Sequence, residues 1–162
     1  FGMDCSGIVT AIGEGVTCAK VGDEVIVPPQ TGCFRSHATI PARFIVPKPK
    51  QWSFEESSVI VPYLTTYYGL HYVAQLKKGE TVLIHNATGG VGISAIAVAR
   101  WLGAEIITTA GTPEKRKKLK EMGIKYIAHS RNLEFAQQIK EWTNILASPY
   151  WQTFNSIKEI GL

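Results

Sequence analysis

The sequence predicts an α/β fold in which part of a small β-barrel is followed by the first half of a doubly wound parallel sheet. Three observations predict it. Residues 81–84 are a short, continuous apolar run that passes through a glycine-rich turn into a helical pattern. From Lys77 onward, strand-like and helix-like segments alternate, as parallel strands joined by crossover helices require. Before residue 53 the text is a series of short β-branched runs punctuated by glycine and proline, as in small barrels. The expected organisation is a partial barrel over 1–52, connecting helices over 53–76, half of a nucleotide-binding domain over 77–144, and a divergent tail over 145–162.

With 162 residues there is room for one domain with a real core or for parts of two. No run approaches the length of a membrane span and no signal peptide is evident, so a cytoplasmic protein without a membrane partner is expected. A net charge of +4 suits an anionic cofactor, and Lys115, Arg116, Lys117, Lys118 and Lys120 supply much of it locally. No nucleic-acid-binding motif accompanies that cluster, so nucleic acid is not expected as a partner. Cys5, Cys18 and Cys33 contain no C-x-x-C pair, which indicates neither a zinc cluster nor a disulfide framework. The chain opens at Phe1 and reads as a piece of something longer.

In order, strands are expected over 7–12, 24–27, 33–40 and 44–46, separated by Gly13, Gly15, Gly22, Pro28, Pro29, Gly32 and Pro41. The stretch 53–76 turns helical. Ser53 with Glu56 forms a capping box, and Pro62 is expected to divide the segment into two helices.

The run 81–84 suits a strand buried on both faces. Its turn carries a variant dinucleotide fingerprint, with Ala87, Gly89 and Gly92 at the three glycine positions. The first serves the tight turn, the second backbone approach to a diphosphate, and the third close packing of helix on strand. A helix over 90–102 ends at Gly103, and its first N–H groups face a phosphate. Ala87, Thr88, Gly89, Gly90, Val91 and Gly92 are therefore candidate cofactor contacts.

The next unit is a strand over 105–110, a turn at Gly111 and Thr112, and a helix over 113–122. Thr112 suits the N-cap, Pro113 the first helical position and Gly123 the exit. A third strand over 125–129 leads to a helix over 133–143 whose apolar side is Leu133, Ala136, Ile139 and Trp142. The tail, with Pro149, Tyr150, Trp151 and Phe154, has no apolar β run. A fourth strand normally lies beside the first, so the first strand is expected to keep an unpaired edge.

The cofactor is read from the end of the second strand, roughly 20 residues past the fingerprint, where NAD-binding chains carry an acidic residue. Here the text is Ala110-Gly111-Thr112-Pro113-Glu114-Lys115-Arg116. Glu105 is at the wrong end of the strand, and Glu114 points along a helix start. Thr112, Lys115 and Arg116 suit a 2′-phosphate, with Ser130 and Arg131 within reach of the same group, so NADPH is expected.

These motifs, with Gly2-Met3-Asp4-Cys5-Ser6-Gly7, Val21-Gly22-Asp23-Glu24-Val25, Gly32-Cys33-Phe34-Arg35-Ser36-His37-Ala38, Leu64-Thr65-Thr66-Tyr67-Tyr68-Gly69-Leu70 and Ser130-Arg131-Asn132-Leu133-Glu134-Phe135, resemble the medium-chain dehydrogenase/reductase superfamily. Within it, they resemble the enoyl reductase domains of polyketide and fatty acid synthases. The resemblance implies a GroES-like barrel, a Rossmann domain and NADPH in the cleft between them. It implies hydride delivery to an α,β-unsaturated acyl thioester on an acyl carrier protein, alongside other synthase domains. It also places Thr65 near the nicotinamide and Tyr67 or Tyr68 at the cleft, although aromatics at helical spacing are more often core. Zinc-dependent relatives have histidine where this chain has Met3, so no metal is expected. His37, His71, His85 and His129 read as structural. The family's candidate proton donors fall outside the matching text, and none is assigned. Two alternatives remain: a stand-alone quinone oxidoreductase-like enone reductase, and a truncated remnant that only binds nucleotide.

Overall fold

The computed structural model describes residues 1–28, 32–132, 134–145 and 151–154. It divides into two compact units, Phe1–Val61 and Pro62–Leu162.

In the first unit β1 (Cys5–Ile8), β2 (Glu24–Val27) and β3 (Val46–Pro47) form an antiparallel sheet with β2 in the middle. Cys5 pairs with Val27 and Val25 with Pro47. The apolar run Val25, Ile26 and Val27 supplies the buried centre. Just after β3, Lys48 is buried, and its Nζ meets Glu24 Oε2 at 2.9 Å and donates to the carbonyls of Pro49 and Trp52. That pairing answers the cost of taking an ammonium out of water. The capping box of α1 (Phe54–Ser58) forms as expected, with Glu56 N donating to Ser53 Oγ at 3.1 Å and Ser53 N to Glu56 Oε2 at 2.9 Å. Ser6 Oγ donates to Phe54 O at 2.5 Å and fastens this helix to β1.

Three expectations for this unit need correction. No strand covers 33–40: residues 34–39 are exposed, so their alternation has no face to bury. The amides of Gly32 and Cys33 instead fold back onto Gly2 O at 3.0 and 3.1 Å. The first strand starts earlier and stops at Ile8, and the last is preceded by a 3₁₀ turn over Ala42–Phe44. Pro29 lies outside the described residues. Cys18 is exposed and Cys33 buried, and burial, reinforced by the neighbouring Cys33 thiol, pushes the Cys5 thiol up to about 11.

In the second unit β4 (Thr81–Ile84), β5 (Glu105–Ala110), β6 (Tyr126–His129) and β7 (Trp151–Phe154) form a parallel sheet in the order β6-β5-β4-β7. The helices are α3 (Gly90–Leu102), α4 (Pro113–Glu121) and α5 (Glu134–Ile145). Alternation along β4 explains the layers. Val82 and Ile84 join Ala95, Ile96 and Ala99 of α3 and Leu119 of α4 on one face. Leu83 joins Ile107 and Ile139 on the other, against Phe135 and Trp142 of α5. Phe135, Ile139 and Trp142 recur at helical spacing; Ala136, expected on that apolar side, is exposed, and Leu133 lies outside the described residues.

The expected bare edge of β4 is also corrected. Trp151 pairs with Thr81 and Phe154 with Ile84, parallel and in register, which gives the 3-2-1-4 order of a doubly wound sheet. The signal was short, resting on aromatic and β-branched propensity rather than an apolar run.

Before this sheet, α2 (Ile60–Tyr67) continues into a π-helix over Tyr68–Val73, closed by Ala74 N donating to Gly69 O at 2.9 Å. The break between α1 and α2 falls at Val59, not at Pro62. Pro62 sits in the first turn of α2, where a missing N–H costs nothing.

Candidate functional site

All four residues of β4 are buried, and the chain leaves the sheet at Ile84 through a tight turn. Asn86 takes the left-handed conformation there, with φ +47°. Because that residue makes the sharp bend, Ala87 keeps an ordinary backbone and its methyl is fully buried in the core. Alanine at the first fingerprint position is thus accounted for. The turn is braced to β5: Ala87 N donates to Thr109 O at 3.1 Å, and Asn86 N to Thr109 Oγ1 at 3.3 Å. His85 Nδ1 lies 3.1 Å from the same hydroxyl, and its ring meets Phe135 edge-on at 5.6 Å, a structural setting.

The three later positions differ in what surrounds them. A Cβ on Gly92 would lie 2.6 Å from Ala87 Cα and 2.7 Å from Asn86 O, so helix and turn touch there through backbone. Around Gly89 and Gly90 a Cβ meets nothing closer than 3.4 and 4.0 Å. Protein packing does not require glycine at these two, whereas close approach of a ligand to the backbone would. Gly89 is the N-cap of α3 and offers no side-chain acceptor, so the amides of Gly90, Val91 and Gly92 have no intrahelical partner. Thr88 Oγ1 is buried and has no hydrogen-bond partner among the described residues. Such an orphaned hydroxyl, beside open amides at a helix N-terminus, fits an anionic group.

The end of β5 is the second half of the site. Thr112 caps α4, accepting from Lys115 N at 3.3 Å. The Glu114 carboxyl is held below its usual range by a hydrogen bond from its own backbone amide and another from the Thr112 side chain. It is thereby engaged locally, and Glu105 stands at the opposite end of β5. Arg116 Nη1 donates to Ala110 O at 3.2 Å, and Ser130 N to the same carbonyl at 3.3 Å. A Cβ on Gly111 would lie 3.0 Å from Arg131 Nε and 3.3 Å from Ser130 Oγ. Gly111 thus lets β6's exit, with Ser130 and Arg131, close over the end of β5 beside Arg116. Lys115 is exposed on the first turn of α4. The structure therefore brings Thr112, Arg116, Ser130 and Arg131 together around one strand end.

Thr65 is exposed on α2, one turn beyond Pro62. Pro62 abuts the start of α3: its ring is 4.0 Å from where a Gly90 Cβ would be, and its carbonyl accepts from Ser94 Oγ at 3.1 Å. Tyr67 stacks on His71 at 5.0 Å and meets Tyr72 and Trp101 at 5.5 and 5.8 Å, while Tyr68 is exposed. An apolar groove of about 380 Å³ runs between α2 and α3, lined by Tyr63, Leu64, Tyr67, Ala97, Val98 and Trp101. His129 Nδ1 accepts from Arg131 N at 3.1 Å, and His37 lies 3.3 Å from Ser36 Oγ. Among the described residues no three His, Cys, Asp or Glu side chains are grouped to hold a metal, and no helix is long and apolar enough to cross a membrane. Sequence reasoning missed Asn86 and the role of Gly111; a non-glycine left-handed residue has no signature beyond asparagine's tolerance for it.

Residues 1–50 match the family described as alcohol dehydrogenase GroES-like domain, and residues 90–148 the family described as zinc-binding dehydrogenase. Among the described residues, no group of His, Cys, Asp or Glu side chains matches the metal site that the second description mentions. The chain is 46% identical over 145 residues to the phthioceranic/hydroxyphthioceranic acid synthase of Mycobacterium tuberculosis, covering 89% of this chain and 7% of that protein. Among solved structures, the CurK enoyl reductase superposes with a TM-score of 0.83 at 43% identity, over 89% of this chain and 43% of that one. Escherichia coli quinone oxidoreductase complexed with NADPH gives a TM-score of 0.83 at 33% identity, over 88% and 44%. The chain thus spans under half of these solved relatives and a small part of the curated synthase.

Proposed function

Since this chain belongs to the medium-chain dehydrogenase/reductase superfamily and is similar to enoyl reductases of polyketide synthases, we propose that it is part of an NADPH-dependent enoyl reductase domain. Its substrate is an α,β-unsaturated acyl thioester carried on an acyl carrier protein, and its partners are the other domains of a synthase. When bound, NADPH would supply the hydride that adds to the β-carbon, and protonation at the α-carbon would complete the saturated product. The chain's own residues bind and orient. The amides of Gly90, Val91 and Gly92 and the Thr88 hydroxyl hold the diphosphate. Lys115, Arg116, Ser130 and Arg131, with Thr112, would hold the 2′-phosphate, and the resemblance sets Thr65 by the nicotinamide.

The observation that carries this reading is the end of β5, where cationic and hydroxyl side chains gather and the nearby carboxylate of Glu114 is engaged with Thr112. A 2′-phosphate dianion is stabilised by such a set, and a 2′-hydroxyl gains little from it. Titration with NADPH and NADH, followed by an assay with a crotonyl thioester, tests the proposal. Tighter NADPH binding with turnover is expected. NADH binding as tightly as NADPH overturns the cofactor assignment, and binding without turnover reduces the chain to a nucleotide-binding remnant. The likeness to a quinone oxidoreductase favours a second reading, reduction of a small diffusible enone. Activity on a free enone, with none on a carrier-bound thioester, selects it.

A further inference from the structure

Asn86 is the feature of the fingerprint that neither strand packing nor the glycine pattern explains. It holds a left-handed backbone at φ +47°, a conformation with a cost for any residue bearing a Cβ. Glycine at this position would meet the same geometry more cheaply. The backbone needs nothing from the side chain, since Asn86 N donates to Thr109 Oγ1 at 3.3 Å and Asn86 O accepts from Gly89 N at 2.9 Å. Asn86 is exposed, and its hydrogen bonds within the described residues run through its backbone N and O, not its carboxamide. Its Nδ2 lies 3.4 Å from where a Gly89 Cβ would stand, at the flank of the glycine across which the backbone is open. The turn thus leaves an unused N–H donor beside Gly89, the uncapped start of α3, with the buried Thr88 hydroxyl next in the chain.

We propose that Asn86 is a positioning residue whose carboxamide donates to the diphosphate bridge of the dinucleotide, fixing its path across Gly89. The proposal rests on the nucleotide-binding reading and adds a contact specific to this chain's turn. It divides the cofactor's two anionic parts between two elements. Asn86 and α3 hold the bridge, and the exits of β5 and β6 hold the 2′-phosphate.

The test uses the 162-residue chain and three ligands: NADPH, ADP-ribose, which has the bridge without the 2′-phosphate, and adenosine 2′-monophosphate, which has the 2′-phosphate without the bridge. Asn86→Gly keeps the left-handed turn and removes the donor. It is expected to weaken NADPH and ADP-ribose roughly tenfold, the scale of a hydrogen bond to a charged group, and to leave adenosine 2′-monophosphate unchanged. Asn86→Asp also tolerates the turn and sets a carboxylate beside the bridge. It is expected to bind both bridge ligands still more weakly at pH 7 and to recover toward the glycine variant as pH falls through the carboxyl pKa. Equal affinities in wild type and both variants overturn the proposal, as does a parallel loss for all three ligands. Failure of the wild-type chain to bind NADPH is a different result, which removes the nucleotide reading itself.

Discussion

The turn from β4 into α3 and the turn from β5 into α4 perform the same step of the fold with opposite chemistry. At the first, the N-cap is Gly89, no side chain caps the helix, and Thr88 Oγ1 is buried without a partner among the described residues. At the second, Thr112 caps the helix, Pro113 removes one donor, and Glu114 is engaged with Thr112. One helix start leaves its amides for something outside the protein. The other satisfies itself and offers side chains instead, Lys115 and Arg116. On the proposed reading, a dinucleotide with a diphosphate at one place and a 2′-phosphate at another would account for both designs within one sheet. Stability and binding are therefore expected to respond separately at the two turns.

The most damaging change is expected at Gly92. Replacing it with Val puts carbon where only 2.6–2.7 Å separates it from Ala87 and Asn86 backbone, which must move apart. A loss of about 3 kcal/mol or more is expected in chemical denaturation, with NADPH binding abolished. Retained stability would mean that the close approach of α3 is dispensable. Next comes Lys115→Ala, expected to weaken NADPH roughly tenfold while leaving NADH unchanged, with a difference that shrinks in high salt. An equal loss for both cofactors removes Lys115 from phosphate recognition.

Thr112→Ala is expected to cost about 1 kcal/mol in stability through the lost cap, with a smaller effect on affinity. The smallest stability effect, and the most pointed contrast, comes from Gly89→Ser. The position has an ordinary φ of −76° and room for a Cβ, and serine is the better cap. Thermal unfolding is expected to be unchanged or slightly raised, by a few tenths of a kcal/mol, while NADPH affinity falls. If both properties rise together, the open amides of α3 are not a ligand site.

Much of this contrast was legible in the sequence. Thr112, Pro113 and Gly123 marked α4 because caps are local, and the buried run 81–84 with its glycines marked the turn and α3. What was hidden depends on distant partners. The stretch 33–40 alternates like a strand, yet nothing packs on it. Val59 ends α1 although Pro62 carries the stronger local signal. Asn86 takes the left-handed turn that asparagine tolerates, and Thr109, on the adjacent strand, braces it. The π-helix over Tyr68–Val73 is a rare departure from α-helical geometry with no composition that marks it in the sequence.

The pairing of β7 with β4 bears on the order in which the sheet assembles. Thr81 meets Glu105 across one crossover, whereas its partner on the other edge, Trp151, comes from the far end of the described chain. Loop closure makes the nearer pairing faster, so β4 and β5 are expected to associate early in folding and β7 to join late. The braced turn at Asn86 depends only on that early pair. During synthesis, the turn from β4 into α3 is therefore expected to be shaped before the sheet is complete.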